Sequence, residues 1–88
     1  MKPLNYAILK YYTTVEEASA EDVIEALRGD YGSYKALNPK SVLEAVMTAE
    51  KNGLLEETRF ELVDNDKVRV YYRAHDEGKA TINKYIQD

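Results

Sequence analysis

The chain has 88 residues, a net charge of −4 and no cysteine, which is room for one small domain, residues 1–88, around a single hydrophobic core. The missing cysteine excludes a disulfide staple, a thiolate nucleophile and a thiolate metal site. No apolar run approaches the ~20 residues that a membrane span needs.

Eight tyrosines stand against one phenylalanine and no tryptophan, so part of the core must be rings that keep a hydroxyl near the surface. Met1-Lys2-Pro3 leads straight into a helical pattern rather than a signal peptide, and a cytoplasmic protein is expected. The charge is uneven. Residues 16–30 hold six acids and one base, Arg28, while the rest is nearly neutral. This acidic segment reads as a solvated block, and a strongly basic face, the usual footprint of a nucleic-acid binder, is missing.

Pro3 suits the first turn of a helix, where its absent N–H is not missed. Leu4, Ala7, Ile8, Tyr11 and Tyr12 then follow at helical spacing as one apolar stripe. The β-branched run Thr13-Thr14-Val15 ends that helix. Ser19 can cap a second one, with Asp22 in the capping-box position and acids at its positive end. Val23, Ile24 and Leu27 form its buried face, and Gly29 is expected to stop it. A turn rich in glycine and serine follows from Asp30 to Lys35. Within it, Tyr31 and Tyr34 are expected to be exposed.

Asn38 before Pro39 marks the start of a third helix, asparagine as cap and proline as first helical residue. Val42, Ala45, Val46 and Ala49 form its core stripe, and Gly53 stands where a left-handed C-terminal cap is wanted. Leu54 and Leu55 then enter the core. Beyond them the period changes to two. Phe60 and Leu62 alternate with Arg59 and Glu61, and Val68, Val70 and Tyr72 alternate with Arg69, Tyr71 and Arg73. Asp64-Asn65-Asp66 between these runs is turn chemistry, so residues 57–74 read as a hairpin. Asp76 can cap a last helix whose apolar edge is Ile82, Tyr85 and Ile86. The order α-α-α-β-β-α is that of a mainly α, α+β winged helix-turn-helix.

Two stretches resemble known regulators. Ala49-Glu50-Lys51-Asn52-Gly53-Leu54-Leu55-Glu56 is similar to the L-E-x-x-G-L-I/V-x signature of the multiple-antibiotic-resistance (MarR) and phenolic-acid-repressor (PadR) types of winged-helix regulator. Tyr72-Arg73-Ala74-His75-Asp76-Glu77-Gly78-Lys79 resembles their Y-x-L-T-x-x-G-x run. Ala49 departs from the usual leucine, and His75-Asp76 from the threonine that caps their last helix. The resemblance implies a small DNA-binding transcriptional regulator, with helix 38–52 as recognition helix and the hairpin as wing. It also implies homodimers joined through terminal helices, for which Leu4, Ile8, Ile82, Tyr85 and Ile86 are the residues at hand.

On the positions that would meet double-stranded DNA, the chain carries Lys35, Lys40, Ser41, Glu44 and Thr48, with Lys67 and Arg69 on the wing. Lys40 and Ser41 at a helix N-terminus suit phosphate. Glu44 repels phosphate unless it accepts from a cytosine amino group. The plain alternative is a solvated helix surface. For Arg59, Arg69 and Arg73 it is pairing with Glu57, Glu61, Asp64 and Asp66 across the hairpin, worth little when exposed. Leu43 and Met47, four apart, fit a protein partner, or a helix rotated enough to bury them. A winged helix serving protein–protein association without nucleic-acid affinity is therefore the rival function.

Catalysis finds no support. His75 is the only histidine and sits at a strand–helix junction. The carboxylate pairs Glu16-Glu17 and Glu56-Glu57 lack a neighbouring acid–base partner in sequence. No phosphate loop or calcium loop is present, and no cofactor or metal is expected.

Overall fold

The computed structural model describes residues 1–64 and 66–87, so Asn65 of the expected turn lies outside the described residues. Among the described residues four helices and three strands follow in chain order: α1 Leu4–Tyr12, β1 Ala18–Ser19, α2 Ala20–Tyr31, α3 Pro39–Lys51, β2 Glu56–Val63, β3 Lys67–Arg73 and α4 Asp76–Tyr85. The three strands form one antiparallel sheet in the order β1-β3-β2. Beyond the expected order stands only β1, whose two residues pair Ala18 with Tyr72 and Ser19 with Tyr71.

Local chemistry sets the helix boundaries. Thr13 and Thr14 turn their hydroxyls back onto the Lys10 and Tyr11 carbonyls at the end of α1. Ser19 and Asp22 make a full capping box at the start of α2, each side chain accepting from the other's backbone N–H. Asn38 caps α3 by accepting from the Ser41 N–H at 2.9 Å, with Pro39 in the first turn. Gly53 has φ +79°, the left-handed value a residue with a Cβ adopts at a cost.

Two boundaries differ from expectation. Gly29 does not stop α2, which runs on to Tyr31. The reason is Tyr31 itself. It is buried and donates its hydroxyl to the Lys2 carbonyl, so packing outweighs the roughly 1 kcal/mol that glycine costs inside a helix. Tyr34 alone of that pair is exposed. His75, not Asp76, caps α4, its Nδ1 accepting from the Gly78 N–H at 3.1 Å.

Leu4, Ala7, Ile8 and Tyr12 of α1, Val23 and Ile24 of α2, and Val42, Val46 and Ala49 of α3 meet in one core. Leu55, Tyr72, Ala74, Ile82 and Ile86 close it from the sheet and α4. Tyr12 is fully buried, and its hydroxyl donates to the Ala18 carbonyl at 2.9 Å, tying β1 to α1. That burial pushes the hydroxyl's pKa well above its ordinary value. The hairpin leaves this core as it rises. Tyr72 is buried and Val70 half-buried, while Val68, Phe60 and Leu62 on the same face are 52%, 63% and 71% exposed.

Candidate nucleic-acid interface

Helix α3 buries Val42, Val46 and Ala49. At 100° per residue the opposite side carries Lys40, Glu44, Met47 and Lys51, all exposed. Leu43 and Glu50 flank that stripe on one side. Leu43 packs against the core edge and, with Pro39 and Lys40, lines a shallow apolar groove closed by Val68 and Val70 of the hairpin. Ser41 and Thr48 lie on the other flank, lining a cleft toward Asn5 and Leu9 of α1.

The residues expected to meet DNA are thus divided. Lys40 and Glu44 point outward beside Met47. Ser41 takes part in the Asn38 cap, its hydroxyl accepting from Asn38 Nδ2 at 3.1 Å. Thr48 turns its hydroxyl back to the Glu44 carbonyl at 2.9 Å. Lys35 is exposed in the turn before α3, and Lys67 is exposed near the wing tip. Arg69 lies on the hairpin face opposite Val68 and Val70, because successive strand residues alternate sides, and approaches Glu21 at 3.9 Å. Of the partner candidates, Leu43 is half-buried and Met47 is 44% exposed.

The wing arginines are engaged, and their partners differ from expectation. Arg59 reaches Glu17 at 2.9 Å and Glu61 at 3.1 Å, and its guanidinium lies 3.9 Å over the Tyr71 ring. Arg73 pairs with Glu56 at 2.7 Å. Of the acids expected from the hairpin itself, Glu61 alone takes part in a described ion pair. Glu17 and Glu21 come instead from the acidic block before and within α2. Part of that block is therefore a clasp on the wing rather than a purely solvated run. β1 explains the placement: pairing Ala18-Ser19 with β3 sets Glu17 and Glu21 beside the arginine face.

A bulge assists. Between Glu57 and Arg59 the register with β3 shifts, leaving Thr58 to donate its hydroxyl to Glu17 at 2.8 Å. The Arg59 and Thr58 hydrogen bonds hold the Glu17 carboxyl below the ordinary carboxylate range. The Tyr71 hydroxyl, donated at 2.8 Å, and Arg59 do the same for Glu61, and Arg73 for Glu56.

Of the residues placed at a terminal-helix dimer contact, Leu4, Ile8, Ile82 and Ile86 are spent in the core of the single chain. Tyr85 is 73% exposed. It shares a small apolar groove with Tyr6, Leu9 and Leu54. Among the described residues no cluster of three or more histidine or acidic side chains could hold a metal ion, and no helix is long and apolar enough to cross a membrane.

No family model and no curated protein sequence matches the chain. Its structure is similar to the crystal structure of Bacillus subtilis PadR in complex with operator DNA, with a TM-score of 0.73 over 97% of this chain and 18% sequence identity. The chain spans about half of that protein's length, 47%. Three helices, a two-stranded wing paired to a short first strand, and a closing helix make this chain a winged helix-turn-helix of the kind PadR contains.

Proposed function

We propose that the chain is a small DNA-binding transcriptional regulator that meets the duplex with α3 and the wing. The observation that carries this reading is the fold shared with a protein solved on its operator. The outward stripe of α3 supports it: Lys40 stands in the first turn, where the helix dipole also favours an anion, and Lys51 in the last. Glu44 and Met47 between them are poor readers of base edges, so the reading favours backbone contact over sequence readout. Arg59 and Arg69 add to it only by exchanging Glu17, Glu61 and Glu21 for phosphates.

No catalytic role belongs to this reading. His75 is occupied as a helix cap, and Glu17, Glu56 and Glu61 serve arginines. On this reading the protein works with the DNA, in the cytoplasm. A dimer through the terminal helices would rely on Tyr85 and its groove.

Fluorescence anisotropy of a labelled duplex at low salt tests the function. Binding should weaken steeply as salt rises, and Lys40→Glu should weaken it further. Glu17→Gln with Glu21→Gln should strengthen it by freeing the arginines. No binding at about 50 µM and low salt, within the ~10⁻⁴–10⁻⁶ M range of non-specific DNA affinity, would overturn the proposal and give the surface to a protein partner.

A further inference from the structure

Strand β2 is an open edge. It ends the sheet order β1-β3-β2, and Glu57, Thr58, Arg59, Phe60 and Leu62 are all exposed. Such an edge is a template for another strand, and soluble proteins usually blunt it. The bulge at Thr58 does so at one end only. From Arg59 to Val63 the ladder with β3 is regular. On the apolar face beside this edge, Val70 and Val68 line the groove with Pro39 and Leu43, while Phe60 and Leu62, paired next to them, are 63% and 71% exposed.

We propose that this edge pairs with the same edge of a second copy, antiparallel about a two-fold axis at Phe60. Parity and charge favour that residue over its two neighbours. Paired residues of an antiparallel ladder point to the same face, so a two-fold axis must fall on a residue. An axis at Arg59 or at Glu61 sets identical charges opposite each other, which is destabilising. The axis at Glu61 would bring Phe60 over Leu62 of the second copy, but with the two Glu61 carboxylates face to face. The axis at Phe60 puts Phe60 against its counterpart and Arg59 against the other copy's Glu61, twice over. Every pair at the centre of that register is favourable, and the edge is self-complementary in charge.

The segment also offers few alternatives. Its charges alternate in sign around an aromatic residue, so a uniformly acidic or basic strand would fit it less well than its own copy does. The ladder is short, and the association is weak and concentration-dependent as a result. It uses a different face from the groove around Tyr85; it draws on Arg59 of the wing, which the proposed DNA contact also uses, and its tests contain no DNA.

Two experiments on the full chain test it. Sedimentation velocity over roughly 1–300 µM, the range in which mass action populates a weak dimer, should show reversible dimerisation. Arg59→Glu alone and Glu61→Arg alone should each be monomeric, since each sets like charges across the axis. Mixed one to one they should form a heterodimer, in which both cross-strand pairs are again opposite in charge. Circular dichroism of the two variants confirms that each is folded.

Because the chain has no cysteine, single cysteines give an independent reading. Phe60→Cys should oxidise to a covalent dimer rapidly, since paired Cα atoms about 4.5–5.5 Å apart suit a disulfide. Ala26→Cys, exposed on α2, serves as the collision control. A monomer throughout the range, no heterodimer on mixing, or faster cross-linking by Glu61→Cys or Tyr85→Cys than by Phe60→Cys would each overturn the proposal.

Discussion

Gly78 shows how one residue joins the two stretches that resemble the regulators. A Cβ at this position would run into the Leu54 carbonyl oxygen, so α4 lies directly against the turn that follows Gly53. The glycine of the second motif is needed because the first motif ends where it does. Gly78→Ala should therefore lower the unfolding free energy in urea by about 1–3 kcal/mol through overpacking. Gly53→Ala meets open space and should cost only the left-handed backbone, about 1–2 kcal/mol. The two positions look alike in sequence, yet one is a spatial constraint and the other a torsional one. His75 makes a related point. Its ring takes the threonine position of the resembled motif and still supplies the acceptor that the Gly78 N–H needs, provided that Nδ1 carries no proton.

At the scale of elements, the wing and the acidic segment depend on each other. Glu17, Glu56 and Glu61 have folded-state pKa values below the ordinary carboxylate range. Their contribution to stability is whole above that range. It is lost as the pH falls through the depressed folded values, because the unfolded chain takes up protons first. Thermal melts from neutral pH into the acid range should show a falling Tm, with a shallower fall for Arg59→Gln, which removes the partner of two of the three. These groups are only half-buried, so the change should be small and should shrink with added salt. A pH profile unchanged by Arg59→Gln would mean that the clasp is not formed in solution. The short strand β1 is the element on which this arrangement turns. It carries Glu17 and Glu21 to the arginine face, and the Tyr12 hydroxyl on the Ala18 carbonyl holds it there.

At the scale of the molecule, α4 is an integral part of the core and not an appendage. Ile82 is 2% exposed and Ile86 7%, whereas Tyr85 between them is 73% exposed. Ile82→Ala should cost about 2–5 kcal/mol. Tyr85→Ala should stay within about 0.5 kcal/mol, as surface changes do, unless a second copy covers it. Chemical denaturation distinguishes the two directly.

The winged-helix order was legible because its signals are local. Ser19 with Asp22, Asn38 with Pro39, Gly53 and the change of period after Leu55 each act within a few residues. The buried stripe of α3 was legible for the same reason, since 3.6-residue periodicity is written into the sequence. The site was less so. Phe60 and Leu62 alternate like any half-buried strand, and nothing local reveals that the hairpin outruns the core meant to cover them. Tyr31 sits in a glycine-rich segment that reads as a turn, and only a distant carbonyl, that of Lys2, draws it inward. Ile82 and Ile86 have the pattern of an apolar edge whether that edge meets the same chain or another.

Sequence alone therefore determined the four helices and the hairpin, their order, the caps of α2 and α3 and the apolar faces of the helices, because those follow from torsion preferences and periodicity along the backbone. Tertiary structure decided which acids meet the wing arginines, which glycine is held by contact rather than by torsion, and which apolar face is left open. Those are matters of distance between residues far apart in the chain, and they exist only once the chain has folded.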